Sequence, residues 1–518
     1  MTDKALGARP AAPMEAAIIK APGLKTTGGG VVFKETPGGG GGFNESPSGG
    51  VSLGGQGQET KKSQAMEFGF GQTDAALGRK GPGRFLAKVG AEPGFEFGEK
   101  FTVHAGTMGE TKSGPEAMAL YGDLVGGLGQ GQLGLYFHVP FCQNRCLYCG
   151  FVGRKPEGDL IEKYVGAVRA EIEFVGAMGL EKLGPVRTVY FGGGTPTIVD
   201  PRLLAALTGA IQKTFSLATD LEMTLEGRVS DLSPENVSGF LEAGFNRFSL
   251  GVQSFDSKIR KSLGRHNDRK KTLAKLSNLI QRGAAPVIID LIYGLPGQEA
   301  EGFLDDLATA DKIGVDGLDT YQLNVFSGGE LERAVKENRL PAPAKLPKQA
   351  EFYVKAAKYL DGLKWRRLSL SHYARDTRER NLYNPWAKKR ENCLAFGAGA
   401  GGFINGHATY KRPDVSAYLE SAQKGQFGPD FLTLPTGRES LNAFLVGQME
   451  MGYLNLKKLL AHKGVKPEDI LVLTENWQKA GLIKLNGDFL ELTDIGRFWG
   501  VNLTQALVVT ASGDLAKW

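Results

Sequence analysis

The sequence predicts an α/β fold. Its centre is a partial (β/α)6 barrel, preceded by a Gly-rich arm and followed by a winged-helix-like α/β module. Three observations predict this. Six short β-rich apolar runs alternate with amphipathic segments between about residues 131 and 330, and strand–helix–strand units repeated in this way pair in parallel through right-handed crossovers. Glycine is in excess, with 73 among 518 residues, roughly twice the usual share. After residue 435 helical patterns take over and end in a hairpin signal. An open doubly wound sheet is the alternative arrangement of the central units.

Gly28 to Gly57 contains GGG, GGGGG and GG runs mixed with Ser, Pro and Thr. Such a stretch cannot bury enough apolar surface to offset the entropy of ordering, so residues 1 to about 75 are expected to be disordered. Phe68, Phe70 and Phe85 interrupt the polarity further on, and the arm as a whole (1–110) is expected to be largely disordered or loosely docked. The expected strands are LGLYFHV (133–139), VRTVYFG (186–192), LEMTLEG (221–227), NRFSLGV (246–252), PVIIDLIYG (286–294) and GLDTYQLNV (317–325). Between them the helices fall at 159–178, 201–216, 233–243, 267–282 and 299–313. Asp200-Pro201 and Ser233-Pro234-Glu235 are start signals, a capping side chain followed by proline in the first turn. Residues 331–430 form an extension, expected on the substrate side. The last module, 435–518, reads as helices at 438–452, 455–462 and 467–480, then strands at 482–485 and 489–492 joined by Asn486-Gly487, a strong hairpin turn. It lacks a basic helix and is expected to pack rather than to bind DNA.

Charge and hydropathy exclude several classes. With 62 basic and 56 acidic residues the net charge is +6, too balanced to argue for nucleic acid. No apolar run approaches the roughly 18–20 residues that span a bilayer. Met1 to Lys20 has no continuous apolar stretch of the secretory type, so a cytoplasmic chain without membrane insertion is expected. Three of the four cysteines cluster at Cys142, Cys146 and Cys149, which reads as metal ligation rather than a disulfide framework.

The CxxxCxxC loop follows the first strand. It can wrap three thiolates around one corner of a cuboidal [4Fe–4S] cluster, leaving one iron open. The alternative is zinc with His138 or Cys393 as fourth ligand, although this spacing fits the common zinc modules poorly. Gly192-Gly193-Gly194-Thr195-Pro196 follows the second strand. Without Cβ atoms that backbone can approach a ligand closely and offer its N–H groups. Further polar groups end the later strands: Glu226 and Arg228, Gln253, and Asp290 within VIIDLIYG, with Arg265 in the loop beyond. A carboxylate in an apolar strand is costly to bury without a partner. Parallel barrels place chemistry at these C-terminal strand ends.

The CxxxCxxC spacing resembles that of radical S-adenosylmethionine (SAM) enzymes. The string Tyr136-Phe-His-Val-Pro-Phe-Cys142 resembles the lead-in of the group that contains the oxygen-independent coproporphyrinogen III dehydrogenases. The resemblance implies a [4Fe–4S] cluster on Cys142, Cys146 and Cys149, and S-adenosylmethionine as the second cofactor. Tyr136 and Tyr148 would then lie beside the cofactors, and Gly193, Gly194 and Thr195 would position the methionine amino group. Glu226, Gln253 and Asp290 would contact the nucleoside, and Arg265 would pair with the ligand carboxylate.

Within that group the strings CLYCGF, TLEGRVSDLSPENV, VIIDLIYGLPGQ, DTRERNLYN and CLAFGAGAGG resemble the anaerobic haem-degrading radical SAM methyltransferases of the ChuW/HutW type, over residues 131 to about 500. The Gly-rich arm departs from that pattern. The resemblance implies cleavage of one S-adenosylmethionine to a 5′-deoxyadenosyl radical and transfer of a methyl-derived carbon from a second to a meso position of haem. The ring would open to a linear tetrapyrrole with release of iron, and a flavodoxin- or ferredoxin-type donor would supply electrons. The alternatives are a non-catalytic haem chaperone and a coproporphyrinogen III dehydrogenase. Against the dehydrogenase, Phe151 stands where those enzymes usually carry a further Cys.

For the tetrapyrrole the sequence offers Ser371 to Asn384, dense in polar and aromatic groups. His372 could ligate iron or donate a proton, Arg380 with Arg375 and Arg378 could hold propionates, and Tyr383 is a further catalytic candidate. A solvated charged helix is the alternative, since Asp376 and Glu379 offset much of the charge. Gly397 to Gly402 could admit a ligand or make a tight connection. Cys393 reads as a small buried residue.

Overall fold

A computed structural model describes residues 82–101, 109–150, 153–179 and 183–513. Six parallel strands form its centre: β1 (Leu133–Val139), β2 (Val186–Gly193), β3 (Leu217–Arg228), β4 (Arg247–Gln253), β5 (Val287–Tyr293) and β6 (Gly317–Gln322). They pair side by side in chain order, as a partial barrel requires. Helices α1 (Leu160–Gly176), α2 (Pro201–Thr214), α3 (Pro234–Glu242), α4 (Arg269–Gln281) and α5 (Ala300–Ile313) make the crossovers. The start signals act as expected. Asp200 accepts from the Arg202 N–H and Ser233 from the Asn236 N–H, each with proline in the first turn. Two boundaries differ by more than two residues: β3 begins at Leu217 rather than 221, and β6 ends at Gln322 rather than 325.

The side-chain period of two separates the faces of this sheet. One row, Phe137, Phe191, Leu225 and Phe248, runs in register across β1 to β4 and is fully buried under the helices. The Phe137 and Phe191 rings stack with centroids 4.6 Å apart. The adjacent row faces the lumen and reads Tyr136, Tyr190, Thr224 and Arg247. A second lumen row reads Gly251, Asp290, Asp319 and His372. The outer face is apolar and the lumen is polar, so the barrel interior is built as a site rather than as core.

The extension at 331–430 widens the sheet at both edges. β7 (His372–Ala374) pairs antiparallel with β6, and β8 (Cys393–Phe396) runs parallel beside β1. β9 (Gly401–Ile404), β10 (His407–Tyr410), β11 (Phe431–Thr433) and the Thr111–Ser113 strand follow, in a sheet of 13 strands. The C-terminal module has the expected helices and hairpin. Its Tyr453–Asn455 strand completes a three-stranded sheet, and the buried helix Gly500–Ala511 closes it.

The Gly-rich stretch from Gly28 to Gly57, together with Phe68 and Phe70, lies outside the described residues. The end of the expected arm is corrected: residues 84–101 pack on the C-terminal module. Phe85 and Phe97 are buried. The Trp477 indole donates to the Phe85 carbonyl (3.1 Å) and the Trp499 indole to Glu96 (2.8 Å). Buried indole N–H groups need such partners, and a segment that supplies them is tied down despite its polar composition.

Candidate active site

The cysteine loop leaves the C-terminal end of β1 and is pinned on several sides. The Arg154 N–H donates to the Pro140 carbonyl (2.8 Å) and the Cys142 N–H to the Arg154 carbonyl (3.0 Å). The Leu147 N–H reaches the Leu263 carbonyl, and the Leu147 carbonyl accepts from Leu331. Cys146 is buried, Cys142 and Cys149 are half-buried, and none of the three is in a disulfide. A Cβ on Gly153 would stand 2.8 Å from the Cys142 sulfur, so the loop keeps that flank open to sulfur alone. No three His, Cys, Asp or Glu side chains among the described residues converge on one metal ion. The two candidate fourth ligands for zinc are engaged elsewhere. His138 is bonded to the Tyr136 hydroxyl (2.9 Å), and burial lowers its pKa to about 4. Cys393 is sealed in β8, where burial pushes its thiol up to about 12.

The GGGTP turn sits against this loop. The Gly194 N–H donates to the Val139 carbonyl (2.8 Å), and Thr195 Oγ1 lies 3.3 Å from the Cys142 sulfur. Gly193 has φ of 110°, and a Cβ there would strike the His138 ring. Glycine is therefore required at this position twice over. The Gly193 N–H donates to Glu226 (3.2 Å). Burial nevertheless raises the Glu226 carboxyl to about 7, against the pull of that hydrogen bond.

Gln253 and Arg265 close the far side. Gln253 has φ of 72°, a strained value for a residue with a side chain. Its amide is buried and Oε1 has no hydrogen-bond partner. Arg265 donates to the Gly251 carbonyl (3.0 Å) and the Tyr148 hydroxyl (2.6 Å), while its Nε stays buried and unpartnered. Buried polar atoms without partners are rare in native proteins and point to a ligand that completes them. Asp290 lies half-buried in the lumen, in register with Asp319. Burial first, then the neighbouring Asp319 and Glu226 carboxylates, push its carboxyl well above the usual range.

The structure thus brings Cys142, Cys146, Cys149, Tyr148, Gly193, Gly194, Thr195, Glu226, Gln253, Arg265 and Asp290 to the C-terminal mouth and lumen of the barrel. Tyr136 lies deeper. It forms an aromatic tier with Tyr190 and Tyr383, in which the Tyr190 and Tyr383 rings stack at 4.4 Å.

The expected substrate stretch is corrected at two residues. His372 is fully buried between two carboxylates, with Nδ1 2.9 Å from Asp319 and Nε2 3.1 Å from Glu379. Glu379 in turn receives Arg247 through both carboxylate oxygens (2.8–3.2 Å). This buried cluster plugs the N-terminal end of the lumen. Arg380 lies outside that end, donating to the Asp220 carbonyl (2.9 Å) near the start of β3. It does not reach the cysteine loop. The Gly397–Gly402 turn is a tight connection: the Gly397 N–H donates to Glu171 (2.9 Å) and the Ala398 N–H to the Tyr164 hydroxyl (2.9 Å). Sequence reasoning missed Tyr190, whose place in VRTVYFG put it in a strand but whose facing side only the register reveals.

A parallel partial barrel, a three-thiol loop after its first strand and a glycine turn after its second define a radical SAM enzyme. Residues 136–310 match the Radical SAM superfamily. The chain is 38% identical over 377 residues to an anaerobilin synthase of Escherichia coli O157:H7, a match covering 72% of this chain and 83% of that one. It is 26% identical over 369 residues to the haem chaperone HemW of Bacillus subtilis, covering 70% of this chain and 96% of that one. The fold matches the solved coproporphyrinogen III oxidase HemN of Escherichia coli with a TM-score of 0.64 at 20% identity, over 75% of this chain and 93% of that one. The chain belongs to the anaerobilin synthase family of radical SAM enzymes. Its cofactors are a [4Fe–4S] cluster and S-adenosylmethionine. No helix among the described residues is long and apolar enough to cross a membrane.

Proposed function

We propose that the enzyme opens the porphyrin ring of haem without oxygen, adding a methyl-derived carbon to haem and releasing iron with a linear tetrapyrrole. The observation that carries this reading is the 38% identity to an anaerobilin synthase across 83% of that protein. The open polar lumen beside the cysteine loop supports it.

Cys142, Cys146 and Cys149 would hold the cluster, and the unpartnered Gln253 and Arg265 atoms fit a polar ligand beside it. Bound there, the cluster and S-adenosylmethionine would supply the one-electron reductive chemistry at the sulfonium. The chain's own residues orient and enclose. Backbone at Gly193 and Gly194, with Thr195, receives the amino group of the ligand. Arg265, braced by Tyr148, presents its guanidinium to the carboxylate. Glu226, Gln253 and Asp290 take the nucleoside, with Tyr136 beneath them. Tyr383, stacked on Tyr190 and Tyr136 in the lumen, is the substrate contact from the 371–384 stretch. A flavodoxin- or ferredoxin-type donor supplies electrons. The exposed side chains Arg145, in the cysteine loop, and Lys258 and Lys261, on the short helix before Leu263, form no ion pair among the described residues and suit an acidic protein.

The test is anaerobic reconstitution followed by reduction with S-adenosylmethionine and haem. Loss of the haem bands with a tetrapyrrole product one carbon heavier is expected. Unchanged haem bands while 5′-deoxyadenosine accumulates would reject ring opening. Tight haem binding without consumption would indicate a chaperone, and decarboxylated porphyrinogen a coproporphyrinogen enzyme.

A further inference from the structure

The chain leaves β6 at the mouth of the barrel and crosses to the cysteine loop. Both ends of this crossing are tied down. The Leu323 N–H donates to the Tyr293 carbonyl (3.0 Å), and the Leu331 N–H to the Leu147 carbonyl (3.1 Å) inside the cysteine loop. Leu323 and Leu331 are buried with Leu263, Ile292 and Leu295, against which Leu147 and Tyr148 pack. Between these anchors a turn closes through Gly329 N–H to the Phe326 carbonyl (3.0 Å) and Gly328 N–H to Glu332 (2.8 Å), with Gly328 at φ of 72°.

This anchored turn holds large apolar side chains in the open. Val325 is 45% and Phe326 50% exposed, and Tyr321 at the end of β6 is 41% exposed. The Phe326 ring lies on the residue after Cys149: a Cβ on Gly150 would come within 2.6 Å of its ring carbons. Tyr321 shares the lumen face with Asp319 and Asp290. A lone exposed apolar residue needs no explanation, but a group of them held rigid at the rim of a site does. Within residues 131–330 these three are the large hydrophobics standing exposed among the described residues.

The lumen rows otherwise carry Tyr, Thr, Gly, Asp, His and Arg, and offer a planar apolar macrocycle less to bury against than this rim does. The reacting carbon must also come within about 3–3.5 Å of its attacker, which requires the ring to stand close to the cysteine loop. Resting on the haem reading above, we propose that Tyr321, Val325 and Phe326 form a fixed apolar shelf on which one face of the tetrapyrrole lies. Phe326 then sets the distance between the ring edge and the cysteine loop, and Tyr321 carries the same surface into the lumen. The propionates remain toward solvent. The shelf is preformed, so little ordering is lost on binding.

The test uses the full chain reconstituted with its cluster, haemin as the probe, and the variants Val325→Ser with Phe326→Ser, Tyr321→Ser, and Phe326→Leu. Iron and sulfide content equal to that of the parent establishes that the cysteine loop is intact. The double variant is expected to bind haemin at least about tenfold more weakly, a loss of about 1.4 kcal/mol. Its KM for haem should rise more than its kcat falls, and the ratio of 5′-deoxyadenosine released to haem consumed should increase. Tyr321→Ser should shift in the same direction, and Phe326→Leu should restore most of the affinity. Haemin affinity and KM unchanged in both serine variants, while the parent consumes haem, would overturn the shelf and leave the haem reading standing. A parent that does not consume haem would overturn the reading itself.

Discussion

At the N-terminal ends of the six strands the buried charges are matched. Arg247 meets both oxygens of Glu379, Glu379 meets His372, and His372 meets Asp319, all with little or no solvent access. At the C-terminal ends polar groups are left open. Gln253 Oε1 and Arg265 Nε are buried without partners, the Glu226 carboxyl sits near pKa 7, and two of three clustered thiols are half-exposed. Both ends are rich in charge, so charge density does not distinguish them. What distinguishes them is saturation of charge: Arg247, Glu379, His372 and Asp319 lie within 2.8–3.2 Å of an opposite charge, whereas Glu226 accepts from a backbone N–H and Arg265 donates to a carbonyl and a hydroxyl. A network whose members satisfy one another closes a lumen, whereas one with vacant valences awaits a ligand.

The sharpest test of the open end is Cys146→Ala. Cys146 is the buried thiol of the three and stands in the middle of a pinned loop. Its loss should remove cluster binding and abolish turnover, read as iron and sulfide content after anaerobic reconstitution. A variant that retained full activity would contradict the ligand assignment.

The matching test of the closed end is Arg247→Met. Removing one partner leaves Glu379 buried and uncompensated, which costs about 3–5 kcal/mol. The expected result is a large fall in the denaturation midpoint with no change in cluster content of the folded fraction. The pH dependence has a defined sign. Burial alone would raise Glu379, but Arg247 and His372 hold it at about 2. Its contribution is present above the usual glutamate range and lost as pH falls through 2. His372, which burial would lower, is raised to about 9 by Asp319 and Glu379. Its contribution is full below the ordinary histidine value and lost as pH rises through 9. The parent should therefore lose stability above neutral pH, and a His372→Asn variant should lose that slope.

These two ends were not equally legible in the sequence. The six strands and five crossover helices could be read because their periods and start signals agree with the fold at every level. The cysteine spacing and GGGTP placed the mouth. The closed end was misread because Ser371 to Asn384 shows only that polar residues are dense there. Whether His372 faces a substrate or a carboxylate pair depends on Asp319, Glu379 and Arg247, which are brought together by strand register and a return of the chain. β7 to β11 were missed because strands of three or four residues carry too few alternations to show a period. The GLDTYQLNV run was read as strand to residue 325. The chain turns away after Gln322, so Val325 falls outside the strand and stands with Phe326 at the rim.

Glu226→Gln sharpens the comparison at a smaller scale. The carboxyl near 7 is half-ionised at neutral pH. A carboxylate accepts from ribose hydroxyls and favours a sulfonium, so affinity for S-adenosylmethionine should rise as pH passes upward through 7. If only the ionised form binds well, the gain between one unit below and one above approaches about tenfold. Glutamine keeps the shape without the titration, so its binding curve should be flat over that interval. A parent curve already flat would place Glu226 away from the ligand.

Arg380→Ala carries the smallest expected effect. Arg380 is exposed, donates to the Asp220 carbonyl and lies 3.7 Å from its carboxylate, which Arg187 already meets at 2.5 Å. Exposed pairs of this kind contribute about 0–1 kcal/mol. Asp220 keeps its other partner when Arg380 is removed, so no charge is stranded. Arg380 lies at the start of β3, whereas Glu226 and Arg228 at the other end of the same strand border the mouth. Haem KM, kcat and denaturation midpoint should all stay near the parent values. A substantial rise in haem KM would show that substrate reaches the N-terminal end of the barrel. Saturation would then have failed as the guide to which end is the site.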